Sequence, residues 1–192
     1  MQWLPNALTA SRILLLVPLL WMLELGAEPP IYRAGFFLFL LASITDGLDG
    51  WTARRLGAQS NIGIFFDPLA DKVFANVLLV YLAHRHPGWL PMWMVLALLA
   101  REFVVQGFRS MAPCVGVVIR TELLSKLKLV FQLIAAGALL FGLAWELSAP
   151  LMRWLAWSAL LLALLSGLVS MVVLLWRNRD LWTRRPVEME LR

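Results

Sequence analysis

Six stretches of the chain stay apolar for about 20 residues, the length a helix needs to cross a hydrocarbon layer. They run over residues 7–26, 31–56, 61–83, 89–110, 122–146 and 150–176. Clusters of turn-forming residues separate them. The first ends at Gly26-Ala27-Glu28-Pro29-Pro30, and Leu56-Gly57-Ala58-Gln59-Ser60-Asn61 divides the second from the third. The third ends at His84-Arg85-His86-Pro87-Gly88. The first run lacks a basic leader and a small-residue cleavage site, so it is expected to be a span and not a signal peptide. The pattern predicts an all-α integral membrane protein of six transmembrane helices. One domain covers 1–176, and a basic tail follows at 177–192.

Composition removes the alternatives. Hydrophobic residues make up 61% of the 192 residues and charged residues 15%, with a mean hydropathy of +0.77. A soluble globule this small has no interior large enough for that much apolar surface. In a soluble chain the net charge of +5 would point to nucleic acid. Here it reads as the Lys/Arg bias of cytoplasmic loops and anionic headgroups, and no nucleic-acid partner is expected. An even number of spans puts both termini on one side. The loops at 27–33, 84–88 and 147–153 then face the other side, with only Arg33, Arg85 and Arg153 of the 17 basic residues. Both termini are therefore expected in the cytoplasm. The single cysteine, Cys114, excludes an intrachain disulfide and is read as packing.

Against this background four acids stand out. Asp46 and Asp49 are three apart and Asp67 and Asp71 four apart, so each pair shares a helix face. Charges inside apolar spans are costly and mark function by default. Four converging carboxylates repel one another unless cations neutralise them, and an all-oxygen donor set selects hard divalent ions. Two ions would balance four negative charges and suit an in-line displacement at phosphorus. The competing reading is a set of salt bridges to Arg54, Arg55, Lys72 and Arg101, but the acids outnumber well-placed partners.

The run Asp46-x2-Asp49-Gly50-x2-Ala53-Arg54-x8-Gly63-x3-Asp67-x3-Asp71 resembles the signature of the CDP-alcohol phosphotransferase family at every fixed position. Further segments look like the phosphatidylglycerophosphate synthase branch of that family. They are Pro5-Asn6 through Arg12, Asp67-Pro68-Leu69-Ala70-Asp71-Lys72, and Arg101-Glu102 followed by Gly107-Phe108-Arg109. Ser125-Lys126-Leu127-Lys128-Leu129 with Gln132 resembles a further stretch, with Ser125 in place of Gly and Leu129 in place of Thr.

The resemblance implies that family's six-helix fold, a bacterial inner membrane as its location and a homodimer. It also implies transfer of the phosphatidyl group of CDP-diacylglycerol to sn-glycerol 3-phosphate, giving phosphatidylglycerol phosphate and CMP. Under it Asp46, Asp49, Asp67 and Asp71 hold Mg²⁺ or Mn²⁺, two ions in all, and Asp71 is also the general base. Asp46, Gly50, Ala53, Arg54 and Gly63 would form the cytidine diphosphate site. Charge and placement mark Arg101, Arg109, Arg120, Lys126 and Lys128 as binders of an acceptor phosphate. Phosphatidylglycerol as acceptor, in a cardiolipin synthase of the same family, is the nearest alternative. A divalent-cation transporter is the remote one.

Three weaker features complete the reading. His84 and His86 are expected in a solvated loop, having no third ligand. Trp3, Trp89, Trp93, Trp145, Trp154 and Trp182 are expected as interfacial anchors. Ala159, Ala163 and Gly167 form a small-residue stripe for helix packing within or between subunits.

Overall fold

The computed structural model describes the backbone of residues 3–56, 61–115, 123–146 and 149–182, and the side chains of 14–44, 72–113, 123–146 and 150–180. The fold is all-helical. The six long helices are α1 (Trp3–Leu25), α2 (Pro29–Leu56), α3 (Asn61–Arg85), α4 (Met92–Met111), α5 (Leu123–Ala144) and α6 (Ala149–Arg177). Short 3₁₀ turns follow α4 and α6, at Ala112–Val115 and Arg179–Trp182. Helix starts coincide with proline: Pro29 opens α2, Pro91 precedes α4 and Pro150 lies in the first turn of α6. A first-turn proline loses no helical hydrogen bond, since its missing N–H has no intrahelical partner there.

α5 is the hub. It packs against α2, α3 and α6, while α1 packs on α2 and α3, and α4 on α3 and α6. Small residues make this possible. Ala135, Ala136, Ala138 and Ala144 of α5 are buried, as are Ala156, Ala159 and Ala163 of α6. Backbones therefore approach closely along the α5–α6 seam. A Cβ on Gly142 would stand 2.8 Å from Cβ of Met152 in α6 and 2.7 Å from the Trp89 ring. The stripe Ala159, Ala163 and Gly167 is spent inside the chain. Leu78, Leu79, Leu82, Leu98, Leu139, Leu140 and Leu160 fill the remaining core.

The outside is apolar as well. Val17 and Trp21 of α1, Phe37 of α2, Phe103 of α4 and Val172 and Trp176 of α6 are all at least 60% exposed. Such a belt is what hydrocarbon solvates and water does not. Among the described residues, Leu123–Ala144 and Pro150–Arg177 are long and apolar enough to cross a membrane. Leu14–Leu25 and Pro29–Ile44 are shorter apolar stretches. Between α2 and α5 lies an apolar cavity of about 510 Å³, lined by Phe36, Phe39, Leu40, Val130, Ile134 and Phe141 among others.

Polar ties close one end of the bundle. Arg33 Nε donates to the Ala144 carbonyl at 2.8 Å, capping the C-terminus of α5 with a cation. Tyr81 donates its hydroxyl to Glu24 at 2.7 Å, joining α3 to α1. The Tyr32 hydroxyl meets Nε2 of His86 at 3.0 Å, and the rings sit edge-on at 5.7 Å. His86 is thus half-buried and tied to α2 instead of solvated, because the loop after α3 folds back over the start of α2. Trp145 packs on aromatic neighbours: it lies 4.6 Å from the Phe141 ring and 5.4 Å from Phe36. Trp89 is half-buried against Gly142. Trp93 and Trp154 are exposed, while the side chains of Trp3 and Trp182 lie outside the described residues.

Gly142→Ala should lower stability by about 1–3 kcal/mol through overpacking. Gly107→Ala, whose added methyl meets nothing within 4 Å, should be neutral or slightly stabilising. Thermal unfolding in detergent checks both.

Burial holds the His86 imidazole below its usual range, and Arg85 adds to the depression. The folded state keeps the ring neutral, so its contribution is complete above the ordinary histidine value of 6.5. That contribution is lost as pH falls through the lower folded value. Melting temperature should therefore drop on acidification from about pH 8 to pH 5, and His86→Asn should flatten the slope. An unchanged slope in His86→Asn would locate the titration elsewhere.

Candidate functional site

The acid signature falls entirely on two helices. Asp46, Asp49, Gly50, Ala53 and Arg54 lie on α2, and Gly63, Asp67 and Asp71 on α3. Helical backbone at these positions puts each acid pair on a single face. The side chains of all eight lie outside the described residues, as does Arg120. Among the described residues no group of three or more His, Cys, Asp or Glu is placed to hold a metal. Chemically, the donor set offered by the signature is carboxylate oxygen alone, which fits a hard divalent ion.

One residue beyond Asp71 the side chains are described, and they form a buried ionic cluster. Its centre is Glu102 of α4, 6% exposed. Oε1 of Glu102 accepts from Nη1 of Arg101 at 2.6 Å and from Nζ of Lys128 on α5. Arg101 and Lys128 are 4% and 3% exposed. Nζ of Lys72 on α3 stands 3.6 Å from the other carboxylate oxygen, Oε2. Lys72 also donates to Oε1 of Gln106, one turn along α4, at 3.0 Å. Three helices thus contribute cations to one carboxylate. A buried carboxylate without such partners would be expelled or neutralised, so the cations are what allow it here.

The cluster reaches α6 as well. Nε of Arg101 donates to the Gly167 carbonyl at 2.9 Å, and a Cβ on Gly167 would sit 3.3 Å from Cδ of Lys128. Nη2 of Arg101 reaches Ser125 Oγ at 3.4 Å, and Ser125 Oγ lies 3.0 Å from Ser170 Oγ. Ser125, the departure from the resembled pattern, is therefore a link between α4, α5 and α6. One turn along α3 and α5 from the two lysines, Gln132 donates to Asn76 at 3.0 Å.

The five cations marked in the sequence fare differently. Arg101 and Lys128 meet at Glu102. Arg109 is half-buried on α4 and acts electrostatically on Lys72. Lys126 is exposed, because two residues of helix turn it away from Lys128. Sequence reasoning missed Lys72 and Gln106 as members of this cluster, and Gly167 and Ser170 of α6. The available signal was the charged residue directly after Asp71, together with Arg101-Glu102 in the middle of an apolar run.

Residues 2–176 match the family model described as CDP-alcohol phosphatidyltransferase. The chain belongs to the CDP-alcohol phosphatidyltransferase family. As a member it is a transferase. It is 38% identical over 177 residues to a Bacillus subtilis protein named CDP-diacylglycerol–glycerol-3-phosphate 3-phosphatidyltransferase, covering 85% of this chain and 91% of that one. Proteins of the same name from Rickettsia typhi and Rickettsia prowazekii are each 36% identical, over 143 and 140 residues. Those matches cover 74% and 72% of this chain and 78% and 75% of theirs.

Removing the carboxylate should leave two buried cations uncompensated. Glu102→Gln is expected to cost about 3–5 kcal/mol of stability, and Glu102→Gln combined with Lys128→Met less than Glu102→Gln alone. A double-mutant cycle on unfolding in detergent measures this. Additive losses would mean that the two groups do not stabilise each other.

Proposed function

We propose that this chain is a phosphatidyltransferase of six membrane spans that moves the phosphatidyl group of CDP-diacylglycerol to sn-glycerol 3-phosphate. The products are phosphatidylglycerol phosphate and CMP. The observation that carries the reading is the complete eight-position signature on α2 and α3 in a chain 38% identical to a relative bearing that activity as its name. The exposed apolar belt and the two long apolar helices support the membrane setting. Lys/Arg placement supports an inner-membrane orientation with both termini in the cytoplasm. The family match ends at residue 176, which supports a catalytic unit over 1–176 and a separate basic tail. The homodimer rests on the family resemblance.

In this reading Asp46, Asp49, Asp67 and Asp71 hold two divalent ions, Mg²⁺ or Mn²⁺. Such ions, when bound, neutralise the diphosphate and the charge that develops at the attacked phosphorus. Arg54 pairs with a donor phosphate oxygen. Gly50, Ala53 and Gly63 leave room for the nucleotide against the backbone. Asp71 takes the proton of the acceptor hydroxyl as its oxygen bonds to the β-phosphorus. The bond from that phosphorus to the CMP oxygen breaks, and CMP leaves. The apolar cavity between α2 and α5 offers space for an acyl chain. The cationic cluster around Glu102 supports an acceptor that carries a phosphate.

Purified protein in detergent with CDP-diacylglycerol and Mg²⁺ should release CMP only when glycerol 3-phosphate is added. Asp71→Asn should abolish turnover while donor binding survives. CMP release with phosphatidylglycerol but not with glycerol 3-phosphate would reassign the acceptor, and no release with any acceptor would sink the reading.

A further inference from the structure

Lys72 differs from the other two cations at Glu102. Arg101 and Lys128 are sealed in the bundle and share Oε1 of the carboxylate. Arg101 donates to Glu102, Gly167 and Ser125. Lys72 keeps 27% of its side chain exposed, one residue past Asp71 on α3. Its ammonium is 3.6 Å from Oε2, an ion-pair separation too long for a hydrogen bond, and among the described residues Oε2 has no hydrogen-bond partner. Of the three ammonium protons Gln106 takes one. Among the described residues the cluster sets three cations against one carboxylate, so positive charge is left over at the one member that solvent can reach.

We propose that Lys72 is a specificity-determining residue: its ammonium, held between Glu102 and Gln106 at the mouth of the buried cluster, binds a phosphate oxygen of the anionic acceptor alcohol. Arg101 and Lys128 serve as positioning residues that fix Glu102, and Gln106 holds the ammonium by accepting one of its protons. The inference rests on the phosphatidyltransferase reading above and deepens it. A lysine here supplies a mobile point charge, which suits a phosphate arriving and leaving better than a rigid bidentate guanidinium. The adjacency of Lys72 and Asp71 on α3 ties the acceptor's phosphate and its reacting hydroxyl to one helix.

The test compares Lys72→Met, Lys72→Arg and Gln106→Ala in the full chain, purified in detergent. Lys72→Met should raise the KM for glycerol 3-phosphate at least about tenfold, the loss of one charge-assisted hydrogen bond. The KM for CDP-diacylglycerol should stay within about twofold, because the proposal assigns this lysine to the acceptor alone. Lys72→Arg, which keeps the charge, should recover part of the loss. Gln106→Ala should raise the acceptor KM less than Lys72→Met does.

Calorimetric binding of glycerol 3-phosphate should show the same ranking without any turnover, which separates the two proposals. Normal anion affinity in Lys72→Met, or equal damage to donor and acceptor constants, overturns the role of Lys72. Weakened anion binding in Lys72→Met together with a wild type that releases no CMP would leave the lysine site standing and overturn the transferase reading.

Discussion

The charge balance at Glu102 is the constraint on which four of the six helices depend. A single carboxylate in an apolar bundle is unstable alone, and so are Arg101 and Lys128. Together they lock α4 to α5, and Arg101 extends the lock to α6 through the Gly167 carbonyl. Lys72 draws α3 toward the same point. Leucine packing alone leaves helices free to slide, since in a lipid-like setting the driving force between apolar faces is weak. The ionic cluster removes that freedom and fixes the register of α3, α4, α5 and α6.

This register matters because the acid signature sits on α2 and α3 while the cluster sits on α3, α4 and α5. α3 is the shared element. Its Lys72 faces Glu102 and its Asp71 belongs to the signature. In the proposed reading donor chemistry and acceptor recognition are neighbours on one rigid rod, with no loop between them. Rigid helices position such groups better than loops do.

Much of this was legible in the sequence, for physical reasons. The apolar runs mark six helices because proline and glycine punctuate them, and the observed α2, α3 and α6 start within two residues of the expected runs. Acids inside apolar segments draw attention because burial is costly, and the helical backbone found at Asp46, Asp49, Asp67 and Asp71 agrees with the spacing read for them. The role of α6 was not legible. Gly167 looks like any small residue in an apolar helix, and only the three-dimensional approach of Arg101 and Lys128 gives it meaning. Pairings such as Tyr32 with His86, 54 residues apart, are equally silent in a linear reading. Lys126 and Lys128 look equivalent in sequence, yet helical geometry buries one and exposes the other.

The order of these residues along the chain has a consequence for biogenesis. Arg101 and Glu102 are consecutive and bonded to each other, so α4 emerges from the ribosome already carrying its own counter-charge. Lys128 is made later, on α5, and its cation finds a compensating carboxylate waiting on the preceding helix. α6, the last to arrive, brings only a backbone carbonyl and a serine hydroxyl to the cluster. Synthesis from the N-terminus thus completes neither α4 nor α5 before the carboxylate that compensates Arg101 and Lys128 exists, and α5 and α6 dock onto a site that α4 has prepared.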